Sequence, residues 1–450
     1  MTLPPKPESR PAKVSLWRYA KLFRQDILSA QPARLYRAWM AEFKTPFFRS
    51  YLINQPDLIQ DVLKTRPDDY PKSNRIGEGL RPLLGNSVFL TNGETWKRQR
   101  RIIDPAFEGG RLRETFPAIW DAAEAAAARL APHDGEPLEA EAQTSHAAAD
   151  VIFRTLFSIP IEHHMAREVF DEFKTYQRSQ PILNIAAFVP LPRWLPRLFR
   201  QDTKRSAAKI RQLITALTAE RMEAIKAGTA PDDLATKIMT TPDPEDGSTF
   251  TTEEMVDQVA IFFLAGHETS ASALAWAMYL VATHPDWQDR LAKEAQVIDQ
   301  CDFAVMGKLK QSRDVFREAL RLYPPVPMMV REASCPATFR DRQVARGAQV
   351  VISPWHLHRH ERLWDNPDGF DPARWHSENG KKCQREAYLP FSAGARVCPG
   401  AGFAMVEGPL ILSRILRDYR IEVVGEKPPV PVAHLTVRSK DGILLRFVRR

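Results

Sequence analysis

From about Thr252 to Thr283 the chain carries a helical stretch that few folds can accommodate. Its middle, "AIFFLAGHETSASALAWAMYL", is apolar on nearly every face. In the preceding "STFTTEEM", Thr251 or Thr252 can cap the helix and Glu253 or Glu254 favours its positive end. His284 precedes Pro285 and is pushed out of the helical region, so "ATHPDW" ends the run. About 32 residues at about 1.5 Å each give roughly 48 Å. A helix of that length with no polar face belongs in the core of a large domain. Yet Gly266, His267, Glu268 and Thr269 sit at its centre, and burying a carboxylate and a hydroxyl together is costly without a purpose. A glycine kink beside a locally bonded threonine accounts for the pattern as well as a reaction site does.

The rest of the chain is organised around more helices. "ETWKRQRRIIDPAF", "IWDAAEAAAARLA" and "AAKIRQLITALTAERMEAIKAG" all carry helical periodicity. Strand-like alternation is confined to "SYLINQ", to residues 337–355, and to the C-terminal "AHLTVRS" and "ILLRFV", which "SKDG" would join as a hairpin. The fold class expected is mainly α with small β-sheets. At 450 residues, length alone allows two or three domains. The Pro/Asp-rich breaks at 131–137, 229–233 and 241–248 are short enough to be loops, however, and no repeat or Gly/Ser linker occurs. We therefore expect a tail over 1–15 and a single domain over 16–450.

The net charge is +8, from 63 basic and 55 acidic residues, spread along the chain without a polybasic tract. It suits a local docking face better than nucleic acid. Four cysteines, Cys301, Cys335, Cys383 and Cys398, stand far apart with no C-x-x-C pair, which points to a reducing compartment, the cytoplasm. The N-terminus lacks a signal-peptide core, and no apolar run reaches the roughly 20 residues of a membrane span. "PILNIAAFVPLPRWLPRLF", from Pro181, is broken by four prolines and two arginines and reads as a surface loop or channel-lip helix.

"FSAGARVCPG", from Phe391 to Gly400, gives Cys398 an unusual setting. A lone cysteine is usually core filler. Here Gly394 and Gly400 permit tight turns, and the apolar stretch "AGFAMVEGPLILSRILRDY" puts the sulfur at a helix N-terminus, where negative charge is favoured. These are the conditions a thiolate metal ligand needs. The stretch resembles the F-x-x-G-x-R-x-C-x-G haem-binding loop of the cytochromes P-450, the haem-thiolate monooxygenases, of the soluble bacterial type. "WKRQR", "AGHET", "EALR" and "FDPARW" resemble that family's other signatures, in order, over about residues 90–405.

The resemblance implies haem b, iron protoporphyrin IX, with Cys398 as the iron ligand. Trp96, Arg100, Arg331 and Arg396 would meet the haem propionates, and Phe391 would shield the sulfur. Ala265 and Gly266 would make room for dioxygen, with Glu268 and Thr269 delivering protons. Glu318 and Arg321, i,i+3 neighbours on a helix, would join Arg374 in a structural triad. The family also implies hydroxylation of a lipophilic small molecule such as a terpenoid, fatty acid or aromatic compound. Its pocket would draw on residues 74–90, Phe262, Val326 to Met329, Leu435 and Thr436, with Arg75 and Arg81 as solvent-facing loop arginines. The chain ends soon after the hairpin and shows no flavin or nicotinamide fingerprint. Electrons are therefore expected from a ferredoxin and its reductase, docking on a monomer near "KKCQR" and Arg396.

Other readings stand beside this one. A thiolate-haem sensor would need no Glu–Thr pair, and peroxide-driven relatives tend to lack it. In "WHLHRH", His356, His358 and His360 would align on a strand as a metal site, though no carboxylate or cysteine completes it and structural roles are favoured. "EHHM" at 162–165 reads as a loop. Pro409 removes a helical hydrogen bond, so the helix after Cys398 either bends there or has a short first segment.

Overall fold

The computed structural model describes residues 3–45, 48–77, 79–179 and 201–450, and the proline-broken stretch from Pro181 falls outside them. The helices used below are, in chain order, α1 (Gly93–Ile103), α2 (Phe116–Ala128), α3 (Ala140–Phe157), α4 (His164–Ser179), α5 (Gln201–Lys226), α6 (Thr252–Ala282), α7 (Lys310–Leu322), α8 (Glu378–Glu386) and α9 (Ala401–Asp418). The chain forms two compact units. One comprises residues 1–71, 123–145 and 269–450, and the other residues 72–122 and 146–268. All the helical patterns read from sequence are present, and α6 ends within a residue of the expected stop. Its start is a reciprocal cap: Glu254 N–H donates to Thr251 Oγ1 (3.2 Å) and Thr251 N–H to Glu254 Oε2 (2.9 Å).

All the strands of the described residues lie in the first unit. Its main sheet has the order β1 (Met40–Lys44), β2 (Arg49–Ile53), β7 (Gln349–Ile352), β4 (Met329–Glu332), with β2 and β7 parallel and the other pairs antiparallel. Alternation sorts its side chains. Tyr51, Ile53, Val350 and Ile352 join a large cluster with Ile59, Leu63, Trp364 and Trp375, while Leu52 faces the other way with Leu35 and Ala41. Smaller sheets are β5 (Ala337–Phe339) with β6 (Arg342–Val344), β9 (Pro431–Ala433) with β10 (Val437–Ser439), and β11 (Leu444–Arg449) between β3 (Pro137–Glu139) and β8 (Tyr419–Val423).

The C-terminal hairpin expected from "SKDG" does not form. β10 pairs with β9 and β11 with β3 and β8, so the two strands leave the turn into different sheets. The turn itself is real: Gly442 has φ +82° and Ser439 Oγ donates to Gly442 O (2.7 Å). Beyond it, Glu141 receives Ser439 N–H and Glu139 receives Ile443 N–H, which separates the strands. The first residues of the chain pack on this unit, Tyr323 Oη donating to Pro5 O (2.8 Å).

In the second unit the first half of α6 packs on aromatic side chains. Phe263 meets Phe153 of α3 (4.2 Å between centroids) and Phe173 of α4 (5.4 Å), and His267 lies edge-on to Phe170 (5.5 Å). "EHHM" is a helix start, α4 beginning at His164. Asp257 of α6 receives Asn86 N–H (2.7 Å) and Arg211 Nη1 of α5 (2.7 Å).

In the first unit α9 runs unbroken through Pro409, so its first segment is not short. It crosses α7 at Gly408, where an added Cβ would lie 2.2 Å from the Phe316 ring. The Gly408→Ala variant is expected to lose about 1–3 kcal/mol of stability to overpacking. Gly408→Ala/Phe316→Leu should recover part of it, and denaturant unfolding of the three proteins measures both.

Candidate active site

In the first unit, the loop of Cys398 is held by backbone contacts. Gly394 has φ +69°, and a Cβ there would lie 2.0 Å from Leu63 O, so only glycine fits. Leu63 belongs to a π-turn, Asp61–Thr65, closed by Arg66 N–H to Asp61 O (2.8 Å). Cys398 N–H donates to Phe391 O (2.9 Å), bringing the aromatic residue beside the cysteine, and Ala401 N–H donates to Cys398 O (3.3 Å) as α9 begins. Gly400 lies in a turn with an ordinary φ of −78°, and a Cβ there would touch the Cys398 sulfur at 3.9 Å. The Cys398 side chain is accessible, and none of the four cysteines is in a disulfide. Cys383 is the core filler instead: its thiol donates to Leu363 O (3.1 Å), and burial pushes its pKa up to about 11.

Two arginines of the same unit, Arg331 buried and Arg396 half-buried, accompany this loop. Arg331, on β4, is 7% exposed and donates only weakly to Val330 O (3.3 Å). Its Nε is buried without an acceptor, and no carboxylate among the described residues pairs with it. Burial, and then the charge of neighbouring Arg396, push its pKa down to about 10. Arg396 donates to Pro67 O (2.7 Å), and burial lowers its pKa against the pull of Asp68. Two desolvated guanidiniums, one of them pushed down by the other's charge, fit an anion, and haem brings two carboxylates. The residues present fit that group.

Behind the loop lies a fully buried ion network. Arg321 holds Glu318 with two bonds (2.9 and 2.8 Å), Arg374 Nε adds a third (2.9 Å) and Asp371 N–H a fourth (3.0 Å). Burial alone would raise the Glu318 pKa, but the two guanidiniums outweigh it and hold it below the usual value. The remaining guanidinium donors reach the carbonyls of His358, Asp365, Asn366, Pro367 and Gly369. His358 connects this network to the cysteine loop. Its Nε2 accepts Leu389 N–H (2.8 Å), so Nδ1 carries the proton and faces Arg321 O (3.3 Å). The alternative of a strand aligning the histidines of "WHLHRH" does not hold, and the favoured structural roles do. A helical turn, Pro354–Leu357, stands there instead, with His358 as its C-cap. His356 bonds Ser353 Oγ (2.8 Å), and His360 stacks on Trp39 (4.6 Å). Burial pushes the pKa values of His356 and His358 down to about 3 and that of His360 to about 4. Among the described residues no cluster of His, Cys, Asp and Glu could hold a metal ion.

In the second unit, α1 presents two arginine faces. Arg98 reaches Glu254 (2.8 Å), and Arg101 grips Asp243 with two bonds (2.7 and 2.8 Å), holding the Asp243 pKa down at about 2. Arg100 turns the other way, over the buried ring of Trp96 (6.0 Å) and to Asp104 (2.7 Å). In the middle of the mostly buried α6, Phe262, Gly266 and Thr269 are half-buried and Ala265 is exposed. Positions spaced i, i+3, i+4 and i+7 make one stripe along the helix. Glu268 is buried, off that stripe. Gly266 does not open room as expected: a Cβ there would lie 2.3 Å from Ile152 Cδ1, so the glycine admits a side chain of α3.

One feature gave no signal in the sequence. Ser270 Oγ, next to Thr269, donates to Glu407 Oε1 of α9, both in the first unit and both buried. Burial, only partly offset by Ser270, pushes the Glu407 pKa up to about 7 from 4.5. The unfolded carboxyl ionises near its ordinary value, so this site costs stability as pH rises from about 4.5 through about 7. Glu407→Gln should remove that loss, gaining about 3 kcal/mol on wild type between low and high pH. Denaturant unfolding at about pH 5 and about pH 8 checks it, and parallel losses in both proteins would contradict it.

Comparison with known proteins agrees with this geometry. The family model described as Cytochrome P450 matches residues 34–446. Cyclooctat-9-en-7-ol 5-monooxygenase of Streptomyces melanosporofaciens is 32% identical over 422 residues, which cover 91% of this chain and 87% of that one. Cytochrome P450 4A11 of Homo sapiens is 30% identical, over 88% of this chain and 78% of its own. The crystal structure of a cytochrome P450DA mutant heme domain superposes with a TM-score of 0.82 at 22% identity, covering 100% of this chain and 98% of that one. An accessible cysteine and a buried Arg331 that no described carboxylate pairs with agree with these matches: the chain belongs to the cytochrome P450 family and is a haem-thiolate monooxygenase whose cofactor is haem b.

Proposed function

We propose that the chain hydroxylates a lipophilic small molecule, with electrons from a ferredoxin and its reductase and Cys398 as the iron ligand. The observation that carries this reading is the Cys398 loop, fixed by Gly394 against Leu63 O and closed onto Phe391. Haem b on a cysteine thiolate, once bound, supplies oxygen activation and transfer of one oxygen atom to a C–H bond. The chain's residues hold, screen and protonate. Arg331 and Arg396 bind a carboxylate of the cofactor, a role supported by the Arg331 Nε that is buried without an acceptor. In the second unit Trp96 and Arg100 are read as carboxylate-binding residues, supported by their packing on one face of α1. Phe391 covers the sulfur and limits its exposure to water.

Ala265 and Thr269 line the reaction side, supported by their shared stripe on α6. The Thr269 hydroxyl holds a proton at that stripe and Glu268 resupplies it from the neighbouring position. This pair favours an oxygenase that turns over rather than a sensor. The lipophilic substrate is supported by the apolar character of Phe262 and Ala265, and of Val326 and Leu435 in the first unit. A similar relative carries cyclooctat-9-en-7-ol in its name. Arg81 donates to Asn86 Oδ1 (2.9 Å), which leaves it poorly suited to a substrate carboxylate.

No helix among the described residues is long and apolar enough to cross a membrane. We read the protein as a cytoplasmic monomer with one domain over 16–450, supported by four cysteines outside any disulfide and a family match over 34–446. The ferredoxin would dock at Lys382 and Arg385, exposed on α8 in the unit that holds Cys398.

Carbon monoxide added to the dithionite-reduced holoprotein should give the strongly red-shifted Soret band of thiolate coordination, and Cys398→Ser should abolish it. The same band in the variant would refute the ligand assignment. Among added compounds, apolar ones should shift the haem spin state; a response to polar compounds alone would overturn the substrate class. Ferredoxin-driven turnover should fall steeply as salt rises, and a flat profile would remove the electrostatic docking.

A further inference from the structure

The helix Leu16–Gln25 in the first unit is built to face something negative and partly apolar. Residues 10–25 carry Arg10, Lys13, Arg18, Lys21 and Arg24 and no acid, which is +5 of the chain's +8 in sixteen residues. Read along the sequence these charges are spread out. The helix gathers them, because Trp17, Lys21 and Arg24 recur at i, i+4 and i+7 on one face with Arg18 beside them. Tyr19 turns the other way, onto Phe23 (5.7 Å) and Phe43 (6.4 Å). The C-terminal end is fixed by Asp26, which accepts Leu28, Ser29 and Ala433 N–H groups. The outer face is thereby held outward.

Two observations say what that face meets. Lys13, Arg18, Lys21 and Arg24 are all exposed, and no carboxylate among the described residues pairs with any of them, whereas Lys97 and Lys381 each bond an acid three residues away. Trp17 is 88% exposed, and among the described tryptophans it is the only exposed one. An indole left in water amid unpaired cations suits the headgroup layer of an anionic membrane, where tryptophan anchors and each Lys or Arg adds to the attraction. A fluid layer of phosphates requires no matched geometry from its partner, and this helix offers no groove.

We infer that the outer face of Leu16–Gln25 docks the protein on anionic lipid surfaces, by attraction of Lys13, Arg18, Lys21 and Arg24 and seating of Trp17, without crossing them. The test is sedimentation of the full-length holoprotein with sucrose-loaded vesicles, of phosphatidylcholine alone or with one-third phosphatidylglycerol. Binding is expected to the mixed vesicles only, and to weaken as salt rises. Arg18→Gln/Lys21→Gln/Arg24→Gln should weaken it about a hundredfold, at about fivefold per cation. Trp17→Ala should weaken it at every salt concentration. All variants should keep the wild-type carbon monoxide spectrum, which separates docking from folding and from the haem assignment. Equal binding to both vesicles, binding to neither, or a triple variant that binds like wild type would overturn the inference. So would retention of an acidic protein or a nucleic acid by this face without vesicle binding.

Discussion

Glu318 is a carboxylate in a place with no water, and much of the first unit is arranged to keep it charged. Two guanidiniums and a backbone N–H satisfy it, and the donors left over are spent on carbonyls between His358 and Gly369. Removing one partner of such a pair typically costs about 3–5 kcal/mol, because the other charge is stranded. The network therefore fixes an irregular stretch of backbone that has no sheet or helix to hold it. His358 passes that order on, one ring nitrogen facing Arg321 O and the other receiving Leu389 N–H two residues before Phe391.

What the sequence disclosed was local. The cap of α6 at Thr251, its stop before Pro285, the face shared by Trp96 and Arg100 and the crowded loop of Cys398 all follow from spacing within a few residues. What it hid depends on partners far along the chain. Nothing near Gly266 says that Ile152 fills its missing side chain, and nothing near Ser270 announces Glu407. The C-terminal strands were misassigned for the same reason. Their turn is written in "SKDG", but Glu139 and Glu141 choose the sheets. Alternating histidines suggested a strand because alternation is blind to the helical turn that Ser353 caps.

The Cys398 loop and the α6 stripe also differ in kind. Around Cys398 the control is backbone: a left-handed glycine, a closing amide and a π-turn. Along α6 the control is side-chain exposure, a narrow accessible stripe in a helix otherwise enclosed. The first sets where the Cys398 sulfur stands. The second sets which positions of α6 can be reached. Arg331 belongs to neither group: it is a buried guanidinium that no described carboxylate offsets.

The contact between Gly394 and Leu63 couples stretches of chain more than three hundred residues apart. The π-turn at 61–65 holds one residue more per turn than an α-helix would, and that extra residue sets where the Leu63 carbonyl stands. Deleting it would rotate the carbonyl away from the glycine and leave the sulfur's position unsupported on one side. The seat of Cys398 is thus written twice, once beside the cysteine and once in an early segment that holds no cysteine.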